Sequence, residues 1–262
     1  MRTILSTAAL LLVFAFGVSD FGWAQELKLP NPLEAQDGTS IGTAEAWHKV
    51  RRPELMELFR TYVYGRAPVG RPENLAFKLA SSDPEAMQGK ATRQQWEIAF
   101  SGPGGEGTIH LLVFLPNAAQ KPTPCFLLIC HRGRENIDPT RETKMPFWSA
   151  EEIVERGYAA ATFHTDDVDP DRHDEFRNGV HGIYDPQGTP RAGDAWGTLA
   201  AWGWGASRAL DCLETEPRID AGRVAVVGHS RGGKAALWCG AEDTRFALVV
   251  SNDSGCSGAA LS

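Results

Sequence analysis

Residues 223–240 read R-V-A-V-V-G-H-S-R-G-G-K-A-A-L-W-C-G. The apolar run at 224–227 is β-branched or small, breaks at Gly228-His229-Ser230-Arg231-Gly232, and resumes as an alanine- and leucine-bearing segment of helical composition. That is strand, sharp turn, helix. The turn fits G-x-S-x-G, in which small flanking residues let the backbone bend tightly enough to lift a serine above the carboxyl edge of a sheet. Ser230 is therefore the candidate nucleophile.

The segments around this elbow alternate in kind. Before it, Trp196, Leu199, Trp202, Ala206, Ala209, Leu210 and Leu213 recur at three and four, which marks a long helix ending before Pro217. Further upstream, 158–163 reads as a strand followed by an acidic loop at 166–171, 150–156 as a helix, and 126–129 as a short apolar strand leading into the loop His131-Arg132-Gly133-Arg134. After the elbow, 247–250 is one more strand. Nearer the amino terminus, Trp96, Ile98 and Phe100 alternate with polar residues, the turn 102–105 follows, and Ile109, Leu111, Val113 and Leu115 alternate again. This is an antiparallel hairpin, with a weaker strand before it around 75–79. Thr43 offers an N-cap to a helix carrying Ala44, Trp47 and Val50, and Pro53 opens a second one with Leu55, Leu58, Phe59 and Val63, ended by Gly65. An antiparallel start passing into strand-helix alternation predicts an α/β fold, a three-layer sandwich on a mostly parallel sheet. With Ser at an elbow after a later strand, the order is that of an α/β-hydrolase, with the chemistry at the carboxyl ends of the strands.

A serine hydroxyl needs an imidazole base, itself oriented by a carboxylate. In this fold the chain order is Ser, acid, His. All seven histidines, His48, His110, His131, His164, His173, His181 and His229, precede Ser230. The base is thus missing from the expected place, and only one strand follows the elbow, so the sequence is expected to be truncated, with the sheet lacking its last strands and the His beyond residue 262. His229 adjoins the nucleophile and is expected to point elsewhere; His131 and His164, near strand ends, are expected to line the pocket or bond locally. Asp253 follows the strand next to the elbow and can orient an imidazole arriving from a later loop, or it is a turn-former before Gly255.

Arg2, an uncharged run at 8–18 and the small-x-small ending Gly22-Trp23-Ala24 describe a secretory signal peptide cut after Ala24. The apolar stretch is shorter than the ~20 residues of a membrane span. Residues 25–262 are then expected to form one domain of a secreted or periplasmic protein, with no membrane partner after cleavage. The net charge of −7, without a basic run, argues against nucleic acid. Eight tryptophans suit stacking on sugar rings or filling a core. Five cysteines without C-x-x-C spacing indicate neither zinc nor a redox pair, and Cys125 and Cys130, facing opposite sides of one strand, cannot bridge each other.

Residues 228–234, G-H-S-R-G-G-K, match G-x-S-R-x-G-K and resemble the elbow of the glucuronoyl esterases, exported enzymes also called 4-O-methyl-glucuronoyl methylesterases. Trp196-Gly197 with Ala201-Trp202-Gly203-Trp204-Gly205-Ala206-Ser207-Arg208 resembles the family's tryptophan helix, 251–261 resembles its segment after the next strand, and the run from Trp47 to Pro68 resembles the first helices of bacterial members. The resemblance implies cleavage of the ester between a 4-O-methyl-glucuronic acid branch of xylan and a lignin alcohol, with glucuronoxylan or lignin-carbohydrate esters as substrate and no metal or cofactor. It implies Ser230 as nucleophile, Arg231 as oxyanion donor, Lys234 as a ligand of sugar hydroxyls and Asp253 at the acid position, where many members carry Glu. Arg231 as a salt-bridged surface residue and Lys234 as a solvated helix residue are the plain alternatives. Another serine hydrolase, such as an acetyl xylan esterase or a prolyl-type peptidase, also carries G-x-S-x-G-G. A non-catalytic hydrolase-like remnant is the third reading, because no His follows the elbow.

Overall fold

The computed structural model describes residues 29–186, 188–256 and 258; the leader-like stretch at 1–24 lies outside them. The chain forms two units, one up to Arg51 and one from Arg52 onward. In the first, an isolated bridge pairs Glu34 with Ser40, and Thr43 Oγ1 accepts from the Ala46 N–H at 3.1 Å to cap a helical turn, α1, at Ala44–Ala46. A π-helical turn, Trp47–Arg51, follows, and the buried Arg51 guanidinium donates to the Pro32 carbonyl.

The second unit opens with α2, Arg52–Phe59, and another π turn, Arg60–Tyr64. Gly65 closes it at φ +80, where a side chain would also collide with the backbone of Ala195. Seven strands then build one sheet: β1 (Ala76–Ala86), β2 (Ala91–Gly102), β3 (Gly105–Pro116), β4 (Thr123–Cys130), β5 (Ala159–His164), β6 (Ile219–His229) and β7 (Leu248–Asn252). Their spatial order is β1-β2-β3-β5-β4-β6-β7. The first three run antiparallel, β3 joins β5 antiparallel, and β5, β4, β6 and β7 are mutually parallel. The expected passage from an antiparallel start to strand-helix alternation is thus the junction of the hairpin with the parallel strands of the same sheet. The weak first strand is longer than its alternation indicated, because pairing with β2 holds polar residues up to Ala86 in line.

Helices cover both faces. Leu111, Val113 and Leu115 of β3 belong to the core shared with the helices α5 (Thr198–Leu213) and α6 (Arg231–Glu242), while Leu112 and Phe114 belong to the one with Trp148, Ala150 and Val154 around α3 (Ala150–Glu155). That alternation makes the three layers. β5, Ala159–His164, is buried at every position, as a central strand covered on both faces must be. A short helix not expected from the sequence, α4 (Gly179–Tyr184), packs beside β3 and β2.

Five of the tryptophans belong to this core. Trp148, Trp196, Trp202, Trp204 and Trp238 are all buried, so none of these five offers a face to a sugar from solution. Two of their indole N–H groups anchor loops: Trp202 Nε1 donates to the Asp169 carbonyl at 2.8 Å and Trp204 Nε1 to the Gly70 carbonyl at 2.7 Å. Cys125 and Cys130 lie in the cores on opposite faces, as their spacing requires. Burial pushes the Cys130 thiol up to about 11 and those of Cys212 and Cys239 to about 12, which leaves them inert small hydrophobes.

Candidate active site

The elbow is shaped by close contacts that only glycine permits. Ser230 sits between β6 and α6 at φ 53, ψ −123, a conformation costing on the order of 1–3 kcal/mol for a residue with a side chain. A side chain on Gly228 would collide with the carbonyl of Gly232. One on Gly232 would come within 2.9 Å of His131 Nδ1, and one on Gly233 within 3.1 Å of both the Asn252 and Gly228 carbonyls. The helix therefore starts hard against the strand ends. The strain is held by hydrogen bonds on both sides: the Ser230 N–H donates to the Asn252 carbonyl at 2.9 Å, and the Ser230 carbonyl accepts the first helical bond from Lys234 N–H at 3.1 Å.

The strands beside β6 bring two other residues to this end of the sheet. β4 and β6 pair Cys125 with Val224 through Leu128 with Val227, and His131, the first residue after β4, brings its Nδ1 against Gly232 in the first turn of α6, next to the elbow. β6 and β7 pair His229 with Asn252, whose carbonyl accepts the Ser230 N–H, and Asp253 is the next residue after β7. Asp253 is exposed, at φ 45, and its carboxylate has no hydrogen bond among the described residues. It is open to a partner that reaches the carboxyl edge of the sheet.

Arg231 and Lys234 share the first turn of α6. Lys234 is half-buried, and its ammonium makes no ion pair among the described residues, although it sits at the unfavourable positive end of the helix. Arg231 is exposed, and its Nε lies 3.0 Å from Asp171 Oδ2. Asp171 belongs to the acidic loop 166–171, so that loop, without a role at the level of sequence, reaches across to the elbow. The pairing partner could have been sought only among loops following neighbouring strands.

The histidines divide. His164, at the end of β5, is buried and bonded locally: Nε2 lies 2.7 Å from the Arg132 carbonyl, and Nδ1 accepts from Asp166 N–H. His229 points from the elbow strand to Asn252 Nδ2 at 3.2 Å and lies edge-on to Phe147. His181 is fully buried between Asp169 and Asp185, away from these strand ends. His131 stacks on Trp202 and meets Phe147 edge-on. Burial, then the charges of Arg231, Arg132, His229 and His164, pulls its imidazole down to about 4. No described histidine is placed between Ser230 and Asp253.

A glucuronyl esterase family model, described for fungi, matches residues 106–261. A carbohydrate esterase from an unknown prokaryotic organism is 39% identical over 89% of this chain and 60% of its own length. A 4-O-methyl-glucuronoyl methylesterase of Phanerochaete carnosa is 28% identical over 88% of this chain and 50% of its own. Among solved structures, the glucuronoyl esterase of Solibacter usitatus superposes with a TM-score of 0.82 at 35% identity, over 89% of this chain and 65% of that one. The chain thus spans half to two thirds of the length of these relatives. The matched segment runs from the turn of the β2–β3 hairpin through the parallel strands, the tryptophan helix, the serine elbow and β7, and on these grounds the chain belongs to the glucuronoyl esterase family, with an α/β-hydrolase fold.

Proposed function

We propose that the protein carrying this chain is an exported serine carboxylic-ester hydrolase that cleaves esters of 4-O-methyl-glucuronic acid on xylan. The observation that carries this reading is Ser230, strained at the head of α6, with Arg231 and Lys234 on the same helical turn. Relatives named 4-O-methyl-glucuronoyl methylesterase support the substrate class. Export rests on the leader-like residues 1–24.

Ser230 Oγ attacks the uronate carbonyl carbon and gives its proton to an imidazole. The carbonyl oxygen becomes an oxyanion beside the Arg231 backbone N–H, where the positive end of α6 favours negative charge. The Arg231 guanidinium, tethered through Nε, keeps its terminal nitrogens for the same charge. Collapse expels the alcohol, which takes the proton from the imidazolium, and water then releases the uronic acid from the acyl-serine. Lys234 donates to sugar hydroxyls, and Asp253 orients the imidazole. No described histidine is hydrogen-bonded to Ser230 Oγ or to the Asp253 carboxylate, so the reading takes its imidazole from outside the described residues.

The test is hydrolysis of a benzyl glucuronate ester and of acetylated xylan by the protein that carries these residues, beside Ser230→Ala. Ser230-dependent release of benzyl alcohol with little acetate supports the uronate reading. Release of acetate in preference favours an acetyl esterase, and no turnover with either favours a hydrolase-like binding protein.

A further inference from the structure

We propose that the side chain of His131 is a further oxyanion donor of this site, presenting its Nε2–H to the ester carbonyl oxygen from the side of Ser230 opposite Asp253. The inference rests on the reading of Ser230 as nucleophile. Its first support is position. His131 directly follows β4, the strand beside the elbow strand β6, and the closeness of its imidazole to Gly232 shows that the ring lies against the first turn of α6. Ser230 is the residue that caps that same turn, so the ring stands on the nucleophile's side of the helix start. In hydrolases of this type the loop after the strand next to the elbow strand supplies a backbone N–H to the oxyanion, and His131 opens that loop here.

The second support is orientation. Nδ1 is buried and has no partner, while Nε2 is neither buried nor bonded among the described residues. Stacking on Trp202 and the edge contact with Phe147 fix the ring plane. Nδ1 faces the amino end of α6, whose backbone N–H groups and positive dipole favour an unprotonated acceptor there. The proton of the neutral ring therefore belongs on Nε2, toward solvent. Arg231, Arg132, His229 and His164 are the charged or titratable groups around the ring, and together with burial they keep it neutral. A neutral imidazole held this way by a helix amino terminus is a known form of electrophilic donor. It is a poor general base, and from its side of Ser230 it cannot be oriented by Asp253.

The third support is the state of Arg231. Its Nε is committed to Asp171 and its side chain is exposed, so the guanidinium alone does not enclose the oxyanion. His131, packed on two aromatic rings, supplies the rigid donor that an oxyanion hole needs.

The test needs no turnover. Phenylboronic acid forms a tetrahedral adduct on an active serine whose oxygen occupies the oxyanion position, and its binding to the chain is measured by calorimetry together with imidazole 15N NMR. Expected are an Nε2–H tautomer for His131 between pH 6 and 8, a shift of that Nε2 signal on adduct formation, and weakening by roughly 10–100-fold in His131→Phe, the loss of a hydrogen bond to a charged oxygen. His131→Gln, whose amide nitrogen reaches the Nε2 position, restores most of the affinity, and His131→Asn, which mimics Nδ1, does not. An Nδ1–H tautomer, or His131→Phe binding like the parent while Ser230→Ala does not bind, overturns the role of His131 and leaves the serine reading standing. Equal affinity in the parent and Ser230→Ala overturns both.

Discussion

Ser230 donates its backbone N–H to the carbonyl oxygen of Asn252, at 2.9 Å, across the ends of β6 and β7. The strained residue is thus tied to the neighbouring strand as well as to its own. A conformation at φ 53 and ψ −123 is one that glycine adopts without penalty.

Ser230→Gly is therefore expected to raise the free energy of unfolding by about 1 kcal/mol while removing the nucleophile. Urea denaturation of the two proteins reads the difference. A lower midpoint for the glycine variant would show that the Ser230 side chain contributes more by its contacts than its backbone costs.

Gly228→Ala places a methyl group against the Gly232 carbonyl, in a contact of backbone with backbone that no rotamer relieves. The expected loss is about 3 kcal/mol, at the upper end for overpacking. Gly222→Ala is the control, since its nearest neighbour is the Asp220 carboxylate at 3.6 Å and its φ is not left-handed. Thermal melts of equal height for both variants contradict the close-contact account of the elbow.

Asp171→Asn breaks an exposed pair with Arg231, so stability should change by less than about 0.5 kcal/mol. If the pair orients the guanidinium, kcat on a glucuronate ester falls several-fold, KM changes less, and Asp171→Glu recovers part of the rate. A purely structural pair would move stability and leave the rate alone.

His131 gives a pH dependence whose sign is set by its lowered value. In the folded chain it titrates near 4 and in the unfolded chain near 6.5, so between these values the unfolded state binds more protons. Stability from this group is complete above about pH 6.5 and declines as pH falls toward 4. After discounting for solvent access the loss is about 1–2 kcal/mol. Denaturation of the parent and of His131→Gln at pH 7 and pH 4.5 should show the difference between them narrowing at the lower pH.

Ester hydrolysis by residues 1–262 expressed alone is expected to be slow, because no described imidazole lies between Ser230 and Asp253. Stopped assays on a benzyl glucuronate ester decide this. Native-like turnover would mean that a histidine of this chain reaches the nucleophile after all, and His131→Gln would then show whether it is His131.

The elbow was legible in the sequence because its causes are local. A β-branched run, glycines spaced around one serine and a helix-forming sequel are each set by sterics within a few residues. The long helix at Thr198–Leu213 and the alternating hairpin followed from periodicity for the same reason. Their partners were not legible. The tryptophans of that helix, equally suited to sugar or core, are core because α5 is covered along nearly its whole length by the sheet, α6 and the loops that its indoles anchor. The acidic loop gained a role from Arg231, sixty residues later in the chain. His131 and Asp253 follow β4 and β7, the two strands that pair with the elbow strand, and that pairing is chosen by which residues bury themselves on the two faces of the assembled sheet. Local sterics and periodicity are written along the chain, whereas neighbours across the sheet exist only once those faces are packed.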